Sequence, residues 1–147
     1  MKNILVPLDL SAIGPAVLNV AEQLAAPLGA KLWLLHVAAP EPDFVGYDAG
    51  PTYVRDQRAD ELRKEHVEMQ EMAAGSRARG LDCEALLVQG PTTDTLLQEC
   101  VRLKIDMIVM GSHGRSALYK TFVGSVSEQV LTNTTVPVLV VPPSDRK

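Results

Sequence analysis

Apolar positions along the chain follow two rhythms. Short unbroken runs, among them Ile4-Leu5-Val6, Leu32-Trp33-Leu34-Leu35 and Met107-Ile108-Val109-Met110, alternate with longer stretches in which apolar residues recur every three or four positions. An unbroken run marks a strand covered on both faces, and the wider spacing marks one side of a helix. On that basis Lys2 to Leu8 predicts a first strand. Ile13, Val17, Val20, Ala21, Leu24 and Leu28 predict an amphipathic helix, with Pro15 near its start and Gly29 just past its end. Further strands are predicted at Leu32 to Val37, Cys83 to Val88, Met107 to Met110 and Val136 to Val141. Arg55 to Arg79 is highly charged, with Leu62, Met69, Met72 and Ala73 at roughly helical spacing, and reads as a solvated surface helix. Leu96, Cys100 and Leu103 share one face of another helix, for which Thr92 or Thr93 offers a cap. The stretch from Ala38 to Thr52, with its prolines and glycines, is a long loop, either functional or mobile.

Five alternations of strand and helix argue for a parallel sheet with right-handed crossovers and helices on both faces. The 147 residues fit one domain, spanning 1–147. In such sheets ligands bind beyond the carboxyl ends of the strands, where strand order reverses. If the order is 3-2-1-4-5, Asp9 faces the segment Gly111 to Gly114 at that point.

That segment carries the most chemistry. Gly111-Ser112-His113-Gly114 follows the fourth apolar run, and nine residues later come Gly124-Ser125 and a short helical pattern from Val126 to Leu131. Glycine at Gly111 and Gly114 permits positive φ and close approach of a ligand to the main chain. Ser125 is a suitable cap for the helix, and the free N–H groups of a helix N-terminus suit an anion such as phosphate. Two familiar phosphate fingerprints, Gly-x4-Gly-Lys-Ser/Thr and Gly-x-Gly-x-x-Gly, are absent.

Net charge −4 disfavours nonspecific nucleic-acid binding, and Arg77-Ala78-Arg79 is too small a cluster to reverse that. No apolar run approaches the roughly 20 residues of a spanning helix. The apolar part of Met1 to Pro7 is too short for a signal peptide, so a cytoplasmic location is the expectation. Cys83 and Cys100 lack metal-ligand spacing and read as reduced, buried thiols. His36 and His66 read as structural or solvated residues.

The pattern Gly111-x2-Gly114-x9-Gly124-Ser125 resembles the nucleotide-binding signature of the universal stress protein family. The resemblance covers nearly the whole chain, through Ile4-Leu5-Val6-Pro7-Leu8-Asp9, Leu35-His36-Val37 and Val136-Pro137-Val138-Leu139-Val140-Val141. It implies an open, doubly wound α/β sheet of order 3-2-1-4-5 that binds ATP, usually as a homodimer, in the subgroup that keeps the glycine motif. Carried over by position, Pro7 and Val37 border the adenine, with backbone hydrogen bonds from Val37. Asp9 faces the ribose or a phosphate-bound Mg²⁺, and Met110 packs beside the nucleoside. Gly111, His113, Gly114 and Arg115 follow the ribose and phosphates, while Gly124, Ser125 and Val126 hold the phosphates at the helix start. Gly90 is a weaker carry-over.

Each residue has a plainer alternative. Asp9 competes between ligand contact and capping the first helix, His113 between contact and a tolerated loop position, and Met110 between ligand wall and sheet core. No residue is convincingly placed as a base to orient an attacking water, although Arg115 and Lys120 supply charge. The expectation is therefore an ATP-binding sensor or regulatory module with slow or no hydrolysis. A dimeric interaction protein with an empty glycine loop and a weak ATPase are the alternatives. The final apolar strand, at a sheet edge, is expected to pair with its counterpart in a twofold dimer through Val136 to Val141.

Overall fold

Alternate residues of a strand point to opposite faces, so a run such as Ile4-Leu5-Val6 needs cover above and below. The computed structural model describes residues 1–38, 52–112 and 124–143, at residues 52 and 54 through the backbone alone. It places β1 at Asn3–Pro7, α1 at Gly14–Leu28, β2 at Lys31–Ala38 and α2 at Thr52–Ala78. β3 (Cys83–Gln89), α3 (Thr92–Arg102), β4 (Met107–Gly111), α4 (Ser125–Asn133) and β5 (Val138–Val141) follow. The five strands form one parallel sheet in the order β3-β2-β1-β4-β5, as the resemblance implied. Most of the expected loop from Ala38 to Thr52 lies outside the described residues.

Both faces are covered. Ile4, Val6, Leu32, Leu34 and Val109 pack with Val17 and Ala21 of α1 and with Met69 and Ala73 of α2. Leu5, Leu35, Ile108 and Met110 meet Leu96 and Cys100 of α3 and Val130 of α4 on the other side. Fully burying one such side chain contributes about 1.5–3 kcal/mol, so these two layers supply the main driving force for the fold. The reading of α2 as a solvated helix is corrected in part, because Met69, Ala73 and Ser76 are buried against the sheet. Its abundant charges occupy the rest of its circumference and mask that narrow stripe in the sequence.

Helix ends also depart from expectation. Gly29 takes φ 63, and the next amide, from Ala30, closes on Ala25 O at 3.1 Å, ending α1 where the glycine predicted. At α3 the cap is Pro91, not Thr92 or Thr93, and at α4 it is Gly124, not Ser125. Both capping residues have extended backbones, so the hydroxyl residues fall inside the first turn, and neither helix has a side-chain cap bond. Gly111 ends β4 as a strand residue and is not among the positive-φ glycines, which corrects the turn geometry expected there.

The two sheet edges differ. On β3, Arg77 Nη1 of α2 donates to Cys83 O at 2.8 Å and Gln70 Nε2 to Ala85 O at 3.5 Å, covering part of the outward row of carbonyls. At the other edge, β5 leaves Leu139 38% exposed.

At the amino ends of the strands, the Asp106 carboxylate accepts the Lys2 and Asn3 amides at 2.8 and 2.9 Å. Those two bonds hold its pKa below the usual value. Burial raises the Glu22 carboxyl, but the bonds from Arg79 and from Ser76 Oγ (2.6 Å) outweigh it and the net shift is also downward. A group whose folded pKa is depressed contributes stability above its unfolded value and loses that contribution as pH falls through the folded value. Acid denaturation should therefore show stability falling from about pH 5 downward. Asp106→Asn should be less stable at neutral pH and lose less on acidification, as read from urea melts across that range. An unchanged pH slope would exclude Asp106 as a contributor.

Candidate functional site

The parallel registers decide what meets at the carboxyl edge. β1 runs beside β2 with Asn3 against Lys31 and Pro7 against Leu35, and beside β4 with Ile4 against Met107. Continuing these registers sets Asp9 level with Val37 on one side and Ser112 on the other, and Pro7 level with Met110. The strand order reverses between β1 and β4, and the crevice beyond their carboxyl ends is where open α/β sheets bind ligands.

On the β1 side the chain is fixed as it leaves the sheet. Leu8 N–H donates to Leu35 O at 2.8 Å, and His36 Nδ1 donates to Leu8 O at 2.7 Å. His36 is 7% exposed, and its Nε2 bonds the Glu65 carboxylate of α2. A carbonyl only accepts, so Nδ1 carries the hydrogen of the bond to Leu8 O. His36 is thus structural, as one of its two sequence readings held. Beyond Leu8, Asp9 Oδ1 accepts Ser11 N–H at 3.0 Å, and Leu10 takes φ 64. A left-handed leucine costs about 1–2 kcal/mol, offset here by its packing against the first core cluster. Asp9 does not cap α1, whose cap is Ile13 without a side-chain bond. Its side chain shapes the turn that follows β1 instead.

On the β4 side, Ser112 N–H donates to Val141 O at 2.9 Å, and Gly124 N–H donates to Ser112 O at 2.6 Å. The strand end at Ser112 and the helix cap at Gly124 are therefore joined directly. Ser127 Oγ donates to Gly111 O at 2.8 Å from the first turn of α4, and Ser127 is 4% exposed. The first-turn amides of α4 have no partner within their helix and no side-chain cap. They stand beside the end of β4, to which the Gly124–Ser112 and Ser127–Gly111 bonds fasten the helix.

Pro7 and Val37 are half-buried, whereas Met110 is 4% exposed and packed in the second core layer. Gly111, Gly124, Ser125 and Val126 are brought together at the β4–α4 junction. His113, Gly114 and Arg115 lie outside the described residues. Gly90 has a steric reason of its own, since a Cβ there would sit 2.6 Å from Thr95 Oγ1. Ser127, Glu65 and Ser11 were missed by the sequence reading. Only Ser127, a second serine just inside the predicted helix, offered any signal.

Two observations bear on a nucleotide with its metal. Ser11 Oγ, in the turn Asp9 shapes, is buried without a hydrogen-bond partner, and such an orphan calls for a missing water or ligand group. Among the described residues no group of three His, Cys, Asp or Glu could cage a metal. A metal arriving with phosphates suits this edge, because Mg²⁺ takes one or two carboxylates and completes its shell with phosphate oxygens and water. Cys83 and Cys100 are free and buried, and burial pushes the Cys83 thiol up and the Cys100 thiol to about 11.

Five parallel strands in the order β3-β2-β1-β4-β5, with helices on both faces and a glycine-capped helix start at the carboxyl edge, define an open, doubly wound α/β domain. The Universal stress protein family profile matches residues 1–142, and the chain belongs to that family. It is 34% identical over 140 residues to a Thermus aquaticus universal stress protein, covering 95% of this chain and 98% of that one. The Bacillus subtilis universal stress protein YxiE is 32% identical over 145 residues, covering 95% and 98%. The universal stress protein UspA from Lactobacillus plantarum has the same fold, at TM-score 0.84 and 22% identity over 95% of this chain and 97% of that one. Two further universal stress protein structures with this fold are complexes with cAMP (TM-score 0.70, 23% identity, 96% of each chain) and with dAMP (0.68, 17%, 95% and 97%). The second comes from Archaeoglobus fulgidus. Among the described residues no helix is long and apolar enough to cross a membrane.

His36 is the joint between α2, β2 and the Asp9 turn. Replacing it with Ala leaves Leu8 O without its donor and should cost about 1–3 kcal/mol in a urea melt. Glu65→Gln, which retains a hydrogen-bonding group, should cost less. Equal losses for the two variants would contradict this account.

Proposed function

We propose that this protein binds ATP, with Mg²⁺ on its phosphates, in the crevice between β1 and β4, and acts as a nucleotide-dependent regulatory module. The observation that carries the reading is the junction at Gly111 and Gly124. There the first-turn amides of α4 stand uncapped at the carboxyl edge, held in place by the Gly124–Ser112 and Ser127–Gly111 bonds. Hydrogen bonds to a charged group contribute about 1.5–3 kcal/mol each, and the helix dipole adds roughly 0.3–1. Three or four such bonds suffice for micromolar affinity after ordering costs. In this reading Pro7 and Val37 border the adenine, Met110 backs the nucleoside from the core, and Asp9 meets the ribose or the metal. Gly111, His113, Gly114 and Arg115 follow the ribose and phosphates, and Gly124, Ser125 and Val126 hold the phosphates. The cAMP and dAMP complexes of two proteins of this fold support an adenine nucleotide as the ligand class.

Turnover is proposed to be slow or absent. Phosphoryl transfer to water requires a group that orients the attacking molecule, and in this reading the Asp9 carboxylate is taken up by Ser11 N–H and by the ribose or the metal. The module is further proposed to act in the cytoplasm as a twofold dimer through Val136 to Val141. The partly capped β3 edge and the exposed Leu139 on β5 favour that edge for pairing with a second copy.

Calorimetry with ATP and Mg²⁺ should give a micromolar Kd, weakened at least about tenfold in Gly124→Val by the side chain at the phosphate end. Failure of the unmodified protein to bind any adenine nucleotide would sink the reading. Ile108 N–H bonds Pro137 O and Ser112 N–H bonds Val141 O, so Val138 and Val140 turn their backbone groups outward. Proline is tolerated at such edge positions, and Val140→Pro should give a folded monomer where the unmodified protein sediments as a dimer. A monomeric unmodified protein at micromolar concentration would refute the dimer.

A further inference from the structure

We propose that Ser127 is the positioning residue of the phosphate half of the site, setting the gap between the end of β4 and the first-turn amides of α4. The inference rests on the nucleotide reading above and adds a residue whose side chain points away from the ligand. Ser127 is on the first turn of α4, three residues past the cap at Gly124, where a serine hydroxyl ordinarily faces solvent or turns back to a carbonyl of its own helix. Here the hydroxyl donates instead to Gly111 O, across the junction and 16 residues back in the chain, from a side chain that is almost fully buried.

The geometry gives that bond leverage. Gly111 is locked into the sheet as the last residue of β4, paired with Val141. Ser127 carries one of the first-turn amides on its own backbone, so its side chain and the donor set move as one rigid piece. Gly124 N–H to Ser112 O ties the start of the helix to the same strand end. Two bonds at different points along α4, one at its cap and one a turn further in, fix both where the helix begins and how it is tilted. Without the Ser127 bond the cap remains a hinge. The amides then swing relative to Gly111, and hydrogen bonds to phosphate oxygens weaken steeply with misalignment. The adenine end, held by β1 and β2, is untouched.

The test is a comparison of ATP and adenosine binding by calorimetry in the unmodified protein, Ser127→Ala and Ser127→Thr, with thermal melts to confirm folding. Amide exchange of Gly124 is followed by NMR in the ligand-free proteins. Ser127→Ala is expected to bind ATP about tenfold more weakly, the loss of roughly one well-made bond to phosphate, with adenosine affinity unchanged. Gly124 amide exchange should quicken in Ser127→Ala, and Ser127→Thr, which keeps the hydroxyl, should restore both properties. Equal loss of ATP and adenosine, or no loss of either, overturns the proposal while leaving the nucleotide reading intact. If the unmodified protein binds no nucleotide, that reading and the assignment to a phosphate site fall together, whatever Gly124 exchange shows.

Discussion

The whole arrangement depends on β1 being paired on both sides. A buried backbone donor or acceptor without a partner costs as much as a lost hydrogen bond, so a strand with no exposure at Ile4, Leu5 or Val6 must complete its ladder with two neighbours. Once β2 and β4 satisfy it in parallel, their registers are no longer free. The carboxyl ends of three strands then arrive at one edge, where the chain leaves β1 through the Asp9 turn. The helices follow, because each parallel crossover must return over a face of the sheet.

At that edge main-chain groups matter more than side chains. The Asp9 carboxylate shapes its own turn, His36 restrains a carbonyl, Ser112 offers its carbonyl to Gly124, and Ser127 binds the carbonyl of Gly111. The polar side chains act largely as fasteners for backbone, and what they leave pointing outward is a set of amides. Amide donors suit anionic oxygen with little regard to what the oxygen is attached to. In the proposed function, such amides recognise phosphate by backbone geometry and the nucleoside end supplies the discrimination.

The parts legible in the sequence were those governed by local period. Unbroken runs marked β1, β2 and β4, and Gly29 marked the end of α1, because burial on two faces and a left-handed cap each leave a local trace. The glycine junction was readable from its own spacing before a helical pattern, while the fold order came through family resemblance. What stayed hidden was long-range. Glu65 sits in a helix whose charges read as surface, and nothing near it announces a buried partner 29 residues away. The caps were misjudged by one residue at both α3 and α4, since Pro91 and Gly124 have the extended backbone of a cap while the serine or threonine beside them carries the familiar side chain. Ser127 looked like one more polar residue on a short helix.

The bond between Gly124 N–H and Ser112 O, at 2.6 Å, is made by main-chain groups alone. A backbone bond does not depend on which side chains its residues carry, so the fastening of α4 to the end of β4 belongs to the path of the chain rather than to its side-chain chemistry. Substitutions that keep that path leave the start of the helix fastened where the sheet ends.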